Sequence, residues 1–118
     1  MDHVINIGDN TFTIRMRLGV LEHLKTITGR DGLDFISNRG GDIVFGMYAL
    51  LIAGMMCYKD KYSDAIIPDN DYVLGIIKSD AGIDDLTNIL SIYANFINSG
   101  EAKAQETVSQ SPGLNVKN

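Results

Sequence analysis

Apolar and polar residues alternate from Val4 to Arg17, VINIGDNTFTIRMR, with Ile5 and Ile7 before Gly8-Asp9-Asn10 and Phe12, Ile14 and Met16 after it. A period of two puts these apolar side chains on one face of an extended chain. Gly, Asp and Asn tolerate the left-handed backbone of a tight turn, so the segment predicts a β-hairpin. An isolated hairpin is marginal in water, and this one is expected to lay its apolar face on the elements that follow.

At Leu18 the period changes. Leu18, Leu21, Leu24 and Ile27 recur at helical spacing and Gly29 stands where a left-handed residue ends a helix, which predicts a helix over 18–28. Asp31 is placed to cap a short helix carrying Leu33, Phe35 and Ile36 and stopping at Gly40-Gly41. Asp42 then precedes IVFGMYALLIAGMMCY, sixteen uncharged residues from Ile43 to Tyr58. At about 1.5 Å per residue this run spans roughly 24 Å, less than the ~30 Å hydrocarbon core of a bilayer, and the charged KDKYSD follows at once. It predicts a central core helix and no membrane span. Within it Gly46, Ala49, Ala53 and Cys57 form a stripe of small residues, expected to let a neighbouring helix approach closely, while Phe45, Tyr48, Ile52 and Met55 form a second stripe. A helix apolar all round is buried on all sides, so the others are expected to pack around it.

A loop is expected over 59–67. Pro68 then suits a first helical turn, Asp69 and Asp71 suit the positive end of a helix dipole, and Tyr72, Val73, Ile76 and Ile77 supply the inner face. Asp80-Ala81-Gly82 breaks the pattern. A last helix runs from Ile83 to Ser99, closed by Gly100, with Leu86, Ile89, Leu90, Tyr93, Phe96 and Ile97 in register. From Glu101 onward, EAKAQETVSQSPGLNVKN has too few large aliphatic residues to offset its ordering entropy and is expected to be a flexible tail, helical at most in its first turns. The predicted architecture is mainly α. Residues 1–100 form a single compact domain of about five helices around a central apolar helix, with an N-terminal β-hairpin, and 101–118 form the tail.

Composition agrees with one soluble domain: 118 residues, 45% hydrophobic and 21% charged. The net charge of −5 is uneven, because residues 42–85 carry eight acids against three bases while the flanking segments balance. An acidic chain without a Lys/Arg cluster lacks the cations that displace counterions from a phosphate backbone, so nucleic acid is not an expected partner. Cys57 is the single cysteine, which rules out an intramolecular disulfide and a thiolate metal cluster and fits a reducing, cytoplasmic setting. The N-terminus has no basic segment followed by an apolar one, so the mature chain is expected to begin near Met1.

Catalytic or metal-binding patterns do not emerge. His3 and His23 stand at no ligand spacing from each other or from Cys57, and His23 is expected on the exposed, solvated side of its helix. DNDYVLG from Asp69 fails as a calcium loop because Val73 stands where oxygen is needed and Gly75 comes one residue late. The glycines of TGRDG and NRGGD lack the lysine and strand–helix context of a phosphate cradle and read as helix stops. Asp84 and Asp85 point apart on a helix and suit its dipole. Neither a catalytic residue nor a cofactor or metal site is expected.

The last helix stands out because LTNILSIYANFINSG, Leu86 to Gly100, is again uncharged. Its outer face would show Thr87, Asn88, Ser91, Asn95 and Asn98, where ordinary surface helices use Glu and Lys. That face suits contact with another chain, although harmless surface polarity explains it too. Tyr93, Phe96 and Ile97 are the partner-binding anchors expected, flanked by Asn95 and Asn98, unless the domain core takes the three apolar ones.

The segment INIGDNTFTIRMRLGVLEHLKTITG, a hairpin running directly into a Leu-rich helix, followed by several helices and a short polar extension, resembles the small tail assembly chaperones of long-tailed bacteriophages and the related gene-transfer-agent proteins. The likeness covers about residues 4–100 and lies in the order of elements, with no motif that assigns binding residues. It implies a non-enzymatic, cytoplasmic protein that coats the tape-measure protein and helps tail-tube protein assemble around it. Such proteins commonly also occur in a form extended by ribosomal frameshifting, with which Lys117-Asn118 is compatible. Two other functions stay open: a small structural subunit of the tail-completion or head–tail connector type, which would form a symmetric ring as a homo-oligomer, and an enzyme whose groups the sequence does not reveal.

Overall fold

A computed structural model of the chain describes residues 2–99; the tail expected over 101–118 and the closing Gly100 lie outside them. Two antiparallel strands, β1 (Asp2–Ile7) and β2 (Asn10–Arg15), precede α1 (Gly19–Thr28), α2 (Gly32–Ser37), α3 (Ile43–Lys61), α4 (Asn70–Asp80) and α5 (Ile83–Asn98). The mainly helical domain with its N-terminal hairpin is thus as the pattern predicts.

The hairpin turns on Gly8-Asp9, with Ile7 opposite Asn10 and Gly8 at φ 60°. A two-residue turn needs a positive φ at its first central position if its twist is to match that of the strands. Ile5, Ile7, Phe12 and Ile14 point inward and are buried. Burying each stabilises the fold by about 1.5–3 kcal/mol, which anchors a hairpin that would be marginal alone. On the outer face Arg15 donates to Asp2 at 2.7 Å and Thr11 to Asn6 at 3.0 Å.

β2 lies on α3, while β1 reaches α4 and α5, and α3 also meets α1, α4 and α5. Met47, Leu50, Leu51, Ile52, Ala53 and Met55 of α3 are buried on successive faces of the helix. Its nineteen residues are long and apolar enough to cross a membrane, yet in this fold they form the packed axis of the domain. Gly54, outside the predicted small-residue stripe, admits a strand: a β-carbon there would lie 2.5 Å from Ile14 Cβ. Gly46 of the stripe faces only the aliphatic stem of Arg39.

Helix ends follow capping chemistry. Asp31 accepts from the Asp34 N–H and Asp42 from the Phe45 N–H, both as expected, and Gly29 closes α1 at φ 75°. Other boundaries move. Asp69, not Pro68, caps α4, its carboxylate accepting from the Asp71 N–H, so the helix starts two residues later than proline alone implies. α2 ends at Ser37, before the glycine pair. α3 continues three residues past the uncharged run to Lys61, because Lys59 and Lys61 favour the negative end of a helix dipole.

Two faces also differ. In α1 the buried residues are Val20 and Leu24, while Leu18 is 40% exposed, since positions three apart fall about 60° behind one another and a run of them winds around the helix. In α4 Val73, Ile76 and Ile77 face the core as expected, but Tyr72 is exposed and donates its hydroxyl to Asn10 Oδ1 at 2.9 Å, clamping the hairpin end.

The glycines of α3 and α4 make opposite predictions. Gly54→Ala forces Ile14 and the hairpin away from α3 and should destabilise the domain by about 1–3 kcal/mol. Gly75→Ala, in an open helical position with nothing within 4 Å, should stabilise it by about 0.5–1 kcal/mol. Urea denaturation of the two variants checks both signs.

Candidate functional site

α5 is amphipathic in an unusual way. Gly82 opens it, donating its N–H to the Asp85 carboxylate at 2.9 Å; lacking a side chain, it returns only its backbone carbonyl, which accepts from the Asp85 N–H at 3.1 Å. The inner face buries Ile89, Tyr93 and Phe96, with Leu86, Leu90 and Ile97 partly covered. The Tyr93 hydroxyl donates to the Leu50 carbonyl of α3, so its polar end is satisfied inside the core. Of the expected anchors, Tyr93 and Phe96 therefore belong to the domain core and are closed to a partner, and Ile97 is only partly accessible. Asn95 and Asn98 do lie on the surface, beside Thr87, Asn88 and Ser91. Thr87 turns its hydroxyl back to the Ile83 carbonyl, whereas the side chains of Asn88, Ser91, Asn95 and Asn98 make no hydrogen bond within the described residues.

A second surface feature is a groove of about 240 Å³ beside β2. Thr11, Phe12 and Thr13 form one wall, Ala65–Pro68 the other, and Met55 and Tyr58 of α3 the floor. The far wall is pinned by Lys59, whose ammonium donates to the Ser63 carbonyl at 2.9 Å and the Ala65 carbonyl at 2.6 Å. Ile66 stands on it 89% exposed. A hydrophobicity pattern does not reveal this groove, because 62–69 has no period and its position depends on where α3 ends.

The titratable groups do not converge. Among the described residues no group of three or more His, Cys, Asp or Glu side chains could hold a metal. His23, expected to be solvated, instead places Nε2 2.7 Å from Asp60 Oδ2, because the longer α3 carries Asp60 to the start of α1. There Asp60 supplies the negative charge that the side chain of Leu18, at the N-cap, cannot. Burial lowers His3 from its ordinary value and raises the Cys57 thiol, against which a backbone N–H from Arg17 acts weakly in the other direction. Asp60 shares one cleft with His23 and a second with Arg15, Arg17 and Cys57, and His3 lines neither.

No protein-family model, no curated protein and no solved structure matches the chain.

Desolvation pushes the Tyr93 hydroxyl well above its ordinary 10.0 and the Cys57 thiol above 9.0, so the fold favours both neutral forms. Their stabilisation is complete below those ordinary values and is lost as pH rises, because the unfolded chain ionises first. Tyr93→Phe removes one buried hydrogen bond and should cost about 0.5–1.5 kcal/mol at neutral pH. It should also flatten the loss of stability above about pH 10, which urea titrations at several pH values will show.

Proposed function

We propose that this chain is a non-enzymatic binding module, a phage or prophage tail assembly chaperone that holds an apolar helical segment of a tape-measure protein and assists tail-tube assembly in the bacterial cytoplasm. The observation that carries this reading is the exposed outer face of α5 from Asn88 to Asn98, which is uncharged beyond Asp84 of the first turn. Burying carboxylates and ammonium groups against a partner is costly, and interface cores are depleted of them. Amides and hydroxyls are cheaper to desolvate and offer both donors and acceptors. The resemblance of the hairpin and first helix to tail assembly chaperones supports the choice of partner.

The mode of contact differs from docking by aromatic anchors, since Tyr93 and Phe96 hold α5 to α3. The partner instead meets Asn88, Ser91, Ala94, Asn95 and Asn98, a face of short side chains that lets a second helix lie close. Co-expression with a tape-measure protein sought in the genomic neighbourhood of this gene tests the proposal. The chain should raise the partner's soluble fraction and co-elute with it in gel filtration. Ser91→Glu with Asn95→Glu, both exposed and compatible with the helix, should abolish the complex while leaving the melting temperature within a few degrees of the parent. Equal partner solubility with and without the chain, and no complex, would overturn the reading. A stable symmetric ring of the chain alone would point to a structural subunit.

A further inference from the structure

The groove beside β2 runs along an unpaired strand edge. A two-residue turn makes Ile7 and Asn10 a hydrogen-bonded pair, and such pairs alternate along an antiparallel ladder. The backbone N–H and C=O groups of Thr11, Thr13 and Arg15 therefore point away from β1, and none pairs with backbone elsewhere among the described residues. Edges of this kind are usually covered or blunted, yet this one carries neither a proline nor an inward-pointing charge. Every second side chain of a strand added here would meet Met55 and Tyr58 on the floor.

Charge is divided along this edge. At its start the Tyr72 hydroxyl on Asn10 brings the first turn of α4 to the hairpin, with Asp69 and Asp71 exposed, and no base occurs from Tyr62 to Ile77. At its end Arg15, Arg17 and Lys61 line one cleft, in which Asp60 is the only acid. A second copy cannot enter through its own β2. Because α3 both underlies β2 and floors the groove, such a two-fold pairing would drive two α3 helices into one space. What fits is a strand with no layer of its own beneath it.

We propose that the groove takes an extended segment of another protein as a third strand, antiparallel to β2. The segment is acidic where it starts beside Arg15, apolar at alternate residues over Met55 and Tyr58, and basic where it ends beside Asp69 and Asp71. Antiparallel pairing is the slightly more stable sense, and the charges then fix the polarity of the sequence. Opposite Ile14 and Phe12 its side chains face the floor, and opposite Arg15, Thr13 and Thr11 its backbone completes the ladder. The site is separate from the outer face of α5 and does not depend on what that face binds.

The test adds the acetylated, amidated hexapeptide Glu-Val-Thr-Val-Thr-Lys to the full chain. It should bind and, at saturation, slow exchange of the Thr11 and Thr13 amides about tenfold. The charge-reversed Lys-Val-Thr-Val-Thr-Glu should bind about tenfold more weakly. N-methylation of the first threonine, whose N–H meets the Thr13 carbonyl, should abolish binding, and as a change in the peptide it leaves the fold of the domain untouched. Failure of the first peptide to bind, or binding that leaves Thr11 and Thr13 exchange unchanged, overturns the proposal. So does equal binding of the two charge orders, or of the methylated and unmethylated peptides. Protection of these amides in the chain alone, growing with its concentration, overturns it in favour of a second copy.

Discussion

A helix that is apolar on every side has no face it can give to water, so everything around α3 is arranged to cover it. The nineteen residues from Ile43 to Lys61 bury side chains in all directions, and no single partner can enclose such a cylinder. β2 covers one side, α1 another, and α4 and α5 the rest. Ile14 lies so close to Gly54 that a β-carbon there would not fit, which fixes how deeply the hairpin sits. The Tyr93 hydroxyl on the Leu50 carbonyl fixes α5 against the same turn of the helix. The hairpin and the last helix, far apart in sequence, are thus positioned by neighbouring residues of one helix.

Where local chemistry decides a boundary, the sequence discloses it. Asp31, Asp42 and Gly29 act through backbone groups within a few residues, and all three perform as their types require. The misplaced features depend on distant residues. Asp60 serves the start of α1 across thirty-seven residues, which required knowing that α3 continues past its charge-free run. Tyr72 leaves the core of α4 because Asn10 offers its amide oxygen at the hairpin end. Periodicity identifies an apolar stripe without saying which part of it meets a neighbour: Leu18, Leu21, Leu24 and Ile27 repeat along α1, yet its buried residues are Val20 and Leu24.

The α5 surface was legible for a related reason. An exposed face is recognised from residue types at fixed spacing, and Thr87, Asn88, Ser91, Asn95 and Asn98 all lie outward. The apolar residues between them were ambiguous, because the same Tyr or Phe suits a core or an interface. Only the arrangement of α3 resolves it: Leu50 presents a carbonyl to Tyr93, and a tyrosine so bonded and enclosed has no area left for another protein. The groove beside β2 was not legible, since its far wall has no period and is held by Lys59 through backbone carbonyls.

With the larger part of the apolar side chains enclosed around α3, what the surface offers along β2 and α5 is a strand edge and a face of short polar side chains. These act differently. A chain laid along β2 would pair backbone with backbone whatever its sequence, leaving selectivity to the groove that Met55 and Tyr58 line. On the α5 face only Asp84 of the first turn is charged, so a partner meeting Asn88 to Asn98 would be discriminated on close contact, where unmatched amides would be left unpaired. Enclosing α3 thus leaves any recognition by these two surfaces to short-range fit, while the excess of acidic residues over 42–85 gives the chain a negative field that disfavours acidic partners at longer range.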